Sequence, residues 1–151
     1  MNKTIEFTLN GQRVTADVAP HHTLIDLLQR FALTGARESC GQGLCGCCTV
    51  LVNGRAVSGC LYLAAFADDA ELTTVEEGAQ LDAVQEAFIE SAAFQCGFCT
   101  SGMLMAATAL LEENPHPTAD EVREGLDGNL CRCTGYAPIV EAVLKAAEAS
   151  A

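Results

Sequence analysis

Four cysteines crowd into nine positions of the stretch "ESCGQGLCGCCTVLVNGR", residues 38–55: Cys40, Cys45, Cys47 and Cys48. A loop with that many thiols has to curl around something that thiolates bind, and this limits the fold more than any other feature. The chain carries nine cysteines in all, an odd number. Its start, "MNKTIEFTLNG", has no apolar h-region, and no apolar run reaches the roughly 20 residues of a membrane helix, so a cytoplasmic setting is expected. There thiols are kept reduced, and dense cysteine spacing points to metal binding or catalysis in place of disulfides. A formal net charge of −12, with only eight Lys plus Arg, argues against nucleic acid and anionic membrane surfaces. A protein partner or a small molecule fits better.

The cysteines fall into two sets. Cys40-x4-Cys45-x2-Cys48, followed by Cys60 after eleven intervening residues, matches the plant-type spacing for a [2Fe–2S] cluster. Four thiolates must surround two irons, and three of them come from one loop with little side-chain bulk. Gly41, Gly43 and Gly46 give that loop its permissive backbone and let amide N–H groups approach the sulfurs. A four-thiolate zinc site is the structural alternative, although zinc knuckles usually pair as C-x2-4-C. The pattern passes over Cys47, which reads as a small buried residue or, more sharply, as an alternative ligand or oxidation-sensitive thiol. Farther on, Cys96-x2-Cys99 and Cys131-x-Cys133 make a second four-thiol set, with thirty-one residues between Cys99 and Cys131. Spacing alone leaves that set open between zinc and iron.

Around these sets the texture changes from strand to helix. Ile5, Phe7 and Leu9 lead into Asn10-Gly11, and Val14, Ala16 and Val18 lead out, which predicts a β-hairpin. Thr23 and Asp26 form a capping-box pattern ahead of Leu24, Leu27, Leu28 and Phe31 at helical spacing. Val50 and Val52 before Asn53-Gly54, with Ala56 after, predict a second hairpin, and "ELTTV" at 71–75 a further strand. Residues 1–76 therefore read as an α+β domain and 77–151 as a helical one, with Val75–Gln80 as linker. The helical signals are Leu81, Val84 and Phe88; Met103 to Leu111; Thr118 and Glu121 capping Val122 and Leu126; and Pro138 opening Ile139, Val143, Leu144 and Ala147. Gly41, Gly43 and Gly46 have G-x-G-x-x-G spacing but are better explained by the cysteine loop they sit in; there is no Walker A motif and no pairable nucleophile and base, and His21, His22 and His116 read as loop residues.

Together "ESCGQGLCGCCTVLVNGR", "FQCGFCTSGM" and "NLCRCTGY", in that order over nearly the whole chain, resemble the iron–sulfur subunit of the molybdenum hydroxylases, the xanthine oxidase family. The resemblance implies a β-grasp, plant-type ferredoxin-like domain followed by a four-helix domain, each with one [2Fe–2S] cluster. It implies Cys40, Cys45, Cys48 and Cys60 as ligands of the flavin-side cluster, and Cys96, Cys99, Cys131 and Cys133 as ligands of the molybdenum-side cluster. It places Gln95 against a pterin, with Cys133 at the edge facing it, and Arg132 between two ligands. It further implies a large subunit holding molybdopterin in its cytosine dinucleotide form and a medium subunit holding FAD. Such a chain is an electron relay with no substrate-oxidising site of its own: electrons released at molybdenum pass singly through the inner and then the outer cluster to a flavin or other acceptor. A free-standing two-cluster ferredoxin and a zinc-stabilised scaffold are the competing readings.

Overall fold

The computed structural model describes residues 2–149; residues 1, 150 and 151, the outermost ends of the two expected domains, lie outside the described residues. Both Asn-Gly dipeptides turn as anticipated. Strands β1 (Lys3–Leu9) and β2 (Gln12–Val18) pair antiparallel across the first, and β3 (Thr49–Val52) and β4 (Arg55–Ser58) across the second. Positive φ at Asn10, Gly11, Asn53 and Gly54 is what a two-residue hairpin loop requires. Strand β5 (Glu71–Thr73) then inserts between the hairpins, parallel to β1 and antiparallel to β3, giving the mixed order β2-β1-β5-β3-β4.

Helix α1 (Leu24–Arg30) opens on the Thr23–Asp26 capping box and buries Leu24, Ile25, Leu27 and Leu28. These side chains share a core with Ile5, Phe7, Leu9, Val50 and Leu72. Full burial of each large one stabilises by about 1.5–3 kcal/mol. Phe31, just past the helix, meets Phe7 edge to face with centroids 5.9 Å apart. A short 3₁₀ turn, Ala64–Ala67, which the sequence reading did not anticipate, closes one end of this core with two buried alanines. The result is the expected β-grasp half.

Among the described residues the second half has four helices: α2 (Ala83–Glu90), α3 (Thr100–Glu113), α4 (Ala119–Gly125) and α5 (Ala137–Ala149). Val84, Phe88, Met103, Ala107, Val122, Leu126, Ile139 and Val143 form its core. Two boundaries differ from expectation. Strand β5 stops at Thr73 because the amide and hydroxyl of Thr74 are taken by the side chain of Asn10, at 2.9 Å each. Helix α2 starts after Leu81, which is left exposed, because Asp82 and Gln85 form the capping box. Among the described residues no helix is long and apolar enough to cross a membrane.

The halves are packed together through α3, which lies against β3 and β4. Its first turns are therefore buried on all sides, from Ser101 to Ala107. At Gly102 a side-chain carbon would collide with the carbonyl oxygen of Gly46, so only glycine allows this helix so close to the cysteine loop.

Candidate metal centres

The first four-thiol set is assembled by the loop between α1 and β3 and by the residues just after β4. Cys48 and Cys60 are buried, while Cys40 and Cys45 sit nearer the surface. The backbone amides of Gln42 and Leu44 each donate to Cys40 Sγ at 3.4 Å. Together with Cys45, they pull the Cys40 thiol down to about 6. Burial pushes Cys48 up to about 11, with Cys60 as its hydrogen-bonded neighbour. The loop thus presents its thiols as two adjacent pairs, 40 with 45 and 48 with 60. Gly46 adopts φ +69, and a side chain there would lie 2.5 Å from both Gly128 O and Asn129 Nδ2.

The second set comes from two helix–helix junctions: Cys96 and Cys99 between α2 and α3, Cys131 and Cys133 between α4 and α5. Again the thiols pair. Burial and then Cys131 raise Cys99 to about 12. Burial also pushes Cys131 upward, but donation from Thr134 Oγ1 at 3.1 Å and Thr134 N at 3.5 Å, with the Cys133 amide and Cys99, leaves it lowered. Cys96 is the main cause of an upward shift at Cys133. Cys96 and Cys133 are exposed, so this pair forms the open edge of the site. Gln95 stands at that edge, where its Nε2 donates to Cys133 O at 3.1 Å. Phe94 and Phe98 flank it, both partly exposed, and Arg132 is exposed.

Several residues that the sequence reading passed over join the two sets. Asn129 is only 6% exposed, and its Nδ2 donates to Gly46 O at 3.0 Å and Thr49 Oγ1 at 3.3 Å. The Tyr136 hydroxyl accepts from the Cys131 amide at 2.9 Å and donates to Asn129 O at 3.3 Å. Ser101 Oγ donates to Gly35 O at 2.5 Å, and Arg37 Nη1 donates to Gly97 O and Phe98 O. Their signal in the sequence was proximity alone: Asn129 and Tyr136 stand in the quoted "NLCRCTGY" beside the ligands. Cys47 is buried at this seam, near Cys45 and Cys48 on one side and Cys99 on the other. Burial is the main reason its thiol is pushed up to about 12. The histidines lie apart, with His22 Nδ1 accepting from the Ala19 amide and the His21 ring against His22.

Thiols gathered two by two, with amide and hydroxyl donors on the sulfurs, fit a cluster of two irons bridged by sulfide, in which each iron takes two thiolates. A closed tetrahedral zinc site asks instead for four ligands around one point. Among the described residues no group of three or more His, Cys, Asp or Glu side chains is arranged to hold a single ion.

Comparison with known proteins finds iron–sulfur domains in both halves of the chain. Residues 7–81 match the 2Fe-2S iron-sulfur cluster binding domain, and residues 72–144 match the [2Fe-2S] binding domain. The nicotine 6-hydroxylase small subunit of Paenarthrobacter nicotinovorans is 52% identical over 145 residues, covering 94% of this chain and 88% of that protein. The xanthine dehydrogenase iron-sulfur-binding subunit of Escherichia coli O157:H7 is 48% identical, covering 93% of this chain and 92% of that one. A chain of the crystal structure of quinoline 2-oxidoreductase from Pseudomonas putida 86 superposes with a TM-score of 0.94 at 44% identity, over 99% of this chain and 96% of that chain.

Proposed function

We propose a ligand set and a direction of electron flow for this chain, which belongs to the iron–sulfur subunits of the molybdenum hydroxylases, the xanthine oxidase family. As such it is the electron-transfer subunit of an oxidoreductase. In the proposal Cys40, Cys45, Cys48 and Cys60 hold one [2Fe–2S] cluster, and Cys96, Cys99, Cys131 and Cys133 hold the other. The domain division lies at 76/77, within the stretch that both family matches share. When bound, the clusters supply two one-electron centres between a molybdopterin and a terminal acceptor.

The observation that carries the direction is the exposure of one thiol pair. Cys96 and Cys133 form the open edge of the helical site, whereas Cys99, paired with Cys131, lies on the side of Cys47 and the other set. The partner at that edge is a large molybdopterin subunit, with the pterin in its cytosine dinucleotide form. Gln95 holds the Cys133 carbonyl and so fixes the edge residue that meets the pterin. Phe94 and Phe98 exclude water around the contact. The Cys40–Cys45 side is directed to a FAD-bearing medium subunit. The whole assembly works in the cytoplasm.

Rapid mixing of the assembled complex with its substrate, following cluster bleaching, tests the reading. Gln95→Ala is expected to leave both clusters and reduction by dithionite unchanged while slowing reduction by substrate. An unchanged substrate rate would remove Gln95 from the contact. An isolated chain that oxidised substrate without a partner would overturn the relay itself.

A further inference from the structure

The segment leading into the first cysteine loop also supplies a cation to the helical site. Arg37 lies three residues before Cys40, and its backbone N–H donates to Cys47 O at 3.0 Å. Its Nη1 crosses the seam and donates to Gly97 O at 2.8 Å and Phe98 O at 3.1 Å, the two residues between Cys96 and Cys99. The guanidinium carbon stands 5.6 Å from the centroid of the Phe98 ring. Lys3, Arg13, Arg123 and Lys145 are each neutralised by a carboxylate. Among the described residues no carboxylate lies within ion-pair distance of Arg30, Arg37, Arg55 or Arg132. What sets Arg37 apart from the other three is its anchoring: its backbone is bonded to Cys47 in the first cysteine loop and its guanidinium to the two carbonyls between Cys96 and Cys99.

Two consequences follow from this geometry. Reduction adds one negative charge to an iron–sulfur site, and a fixed cation beside its ligand loop favours that state. The second concerns the peptide between Phe98 and Cys99. A peptide group is planar and trans, so its C=O and N–H point in opposite directions. With the Phe98 carbonyl turned to Arg37, the Cys99 N–H of the same peptide points away from the guanidinium, so Arg37 fixes the orientation of an amide that belongs to a ligand residue.

We propose that Arg37 is a positioning and electrostatic residue for the helical [2Fe–2S] site, orienting the Gly97–Phe98–Cys99 peptides and raising that site's reduction potential relative to its neighbour's. The inference rests on the ligand assignment proposed above.

The test is a redox titration, followed by electron paramagnetic resonance, of the complex containing this chain, with Arg37→Met and Arg37→Lys beside the wild type. Arg37→Met is expected to lower the reduced-to-oxidised ratio of the helical site about three- to tenfold at fixed potential. That is about 30–60 mV at 59 mV per decade for one electron. The other site should shift less. Arg37→Lys keeps the charge but loses the planar fork, so its ratio should fall between the two. Should Arg37→Met fail to load its clusters, Arg37→Gln takes its place with the same expectations. An unchanged helical ratio, an equal shift at both sites, or a lysine variant as low as the methionine one would overturn the proposal. A wild-type complex without iron and sulfide on this chain would remove the ligand assignment first, and the role of Arg37 with it.

Discussion

The backbone N–H of Leu130 donates to the carbonyl of Cys45 at 2.9 Å. This one bond ties the residue before Cys131 to a cysteine of the other set, so the two sites are spaced by main chain. Asn129 holds the same stretch to Gly46 and Thr49, and Tyr136 pins it from the far side. Through-protein electron transfer depends on separation, and here the separation is set by a buried, satisfied polar network.

Asn129→Ala should destabilise the cluster-loaded protein by about 1–3 kcal/mol, because Gly46 O and Thr49 Oγ1 lose a buried donor. Thermal unfolding followed at the visible absorption of the clusters measures this, and a midpoint equal to that of the wild type would contradict it.

Cys47→Ser should retain both clusters, since each four-thiol set is complete without it. Cys45→Ser should damage only the plant-type cluster. Iron content and the two reduced-state spin signals report the outcome. Loss of either signal in the Cys47 variant would show that the ligand choice is wrong.

What the sequence made legible was local. Both Asn-Gly hairpins and the Thr23 and Thr118 capping boxes were readable because each is decided within a few residues. Both cysteine sets were readable because ligand spacing is a local constraint on a loop. The insertion of β5 between the hairpins was not readable, since it pairs Thr8 with Glu71 across the whole domain. Asn129, Arg37 and Ser101 were passed over for the same reason: each acts on a residue 60 or more positions away. Leu81 has the apolar period of helix α2 but lies outside it, because the Asp82–Gln85 capping box starts the helix one residue later.

In the metal-free chain Cys40 should ionise first. Amides of Gln42 and Leu44 lower its thiol from 9.0 to about 6, whereas burial raises Cys47 to about 12. A folded value below the unfolded one stabilises the fold above pH 9, and this contribution is lost as pH falls through about 6. At pH 7 iodoacetamide should therefore label Cys40 at least about tenfold faster than Cys47. Peptide mass spectrometry of the partially alkylated chain checks the order, and equal labelling would contradict it.

Metal and sulfide analysis of the purified chain, combined with electron paramagnetic resonance after reduction, tests the central claim most directly. Two [2Fe–2S] sites require about four irons and four inorganic sulfides per chain, with two distinct spin signals. Zinc at about one per four cysteines, with no sulfide and no spin signal, would contradict the account.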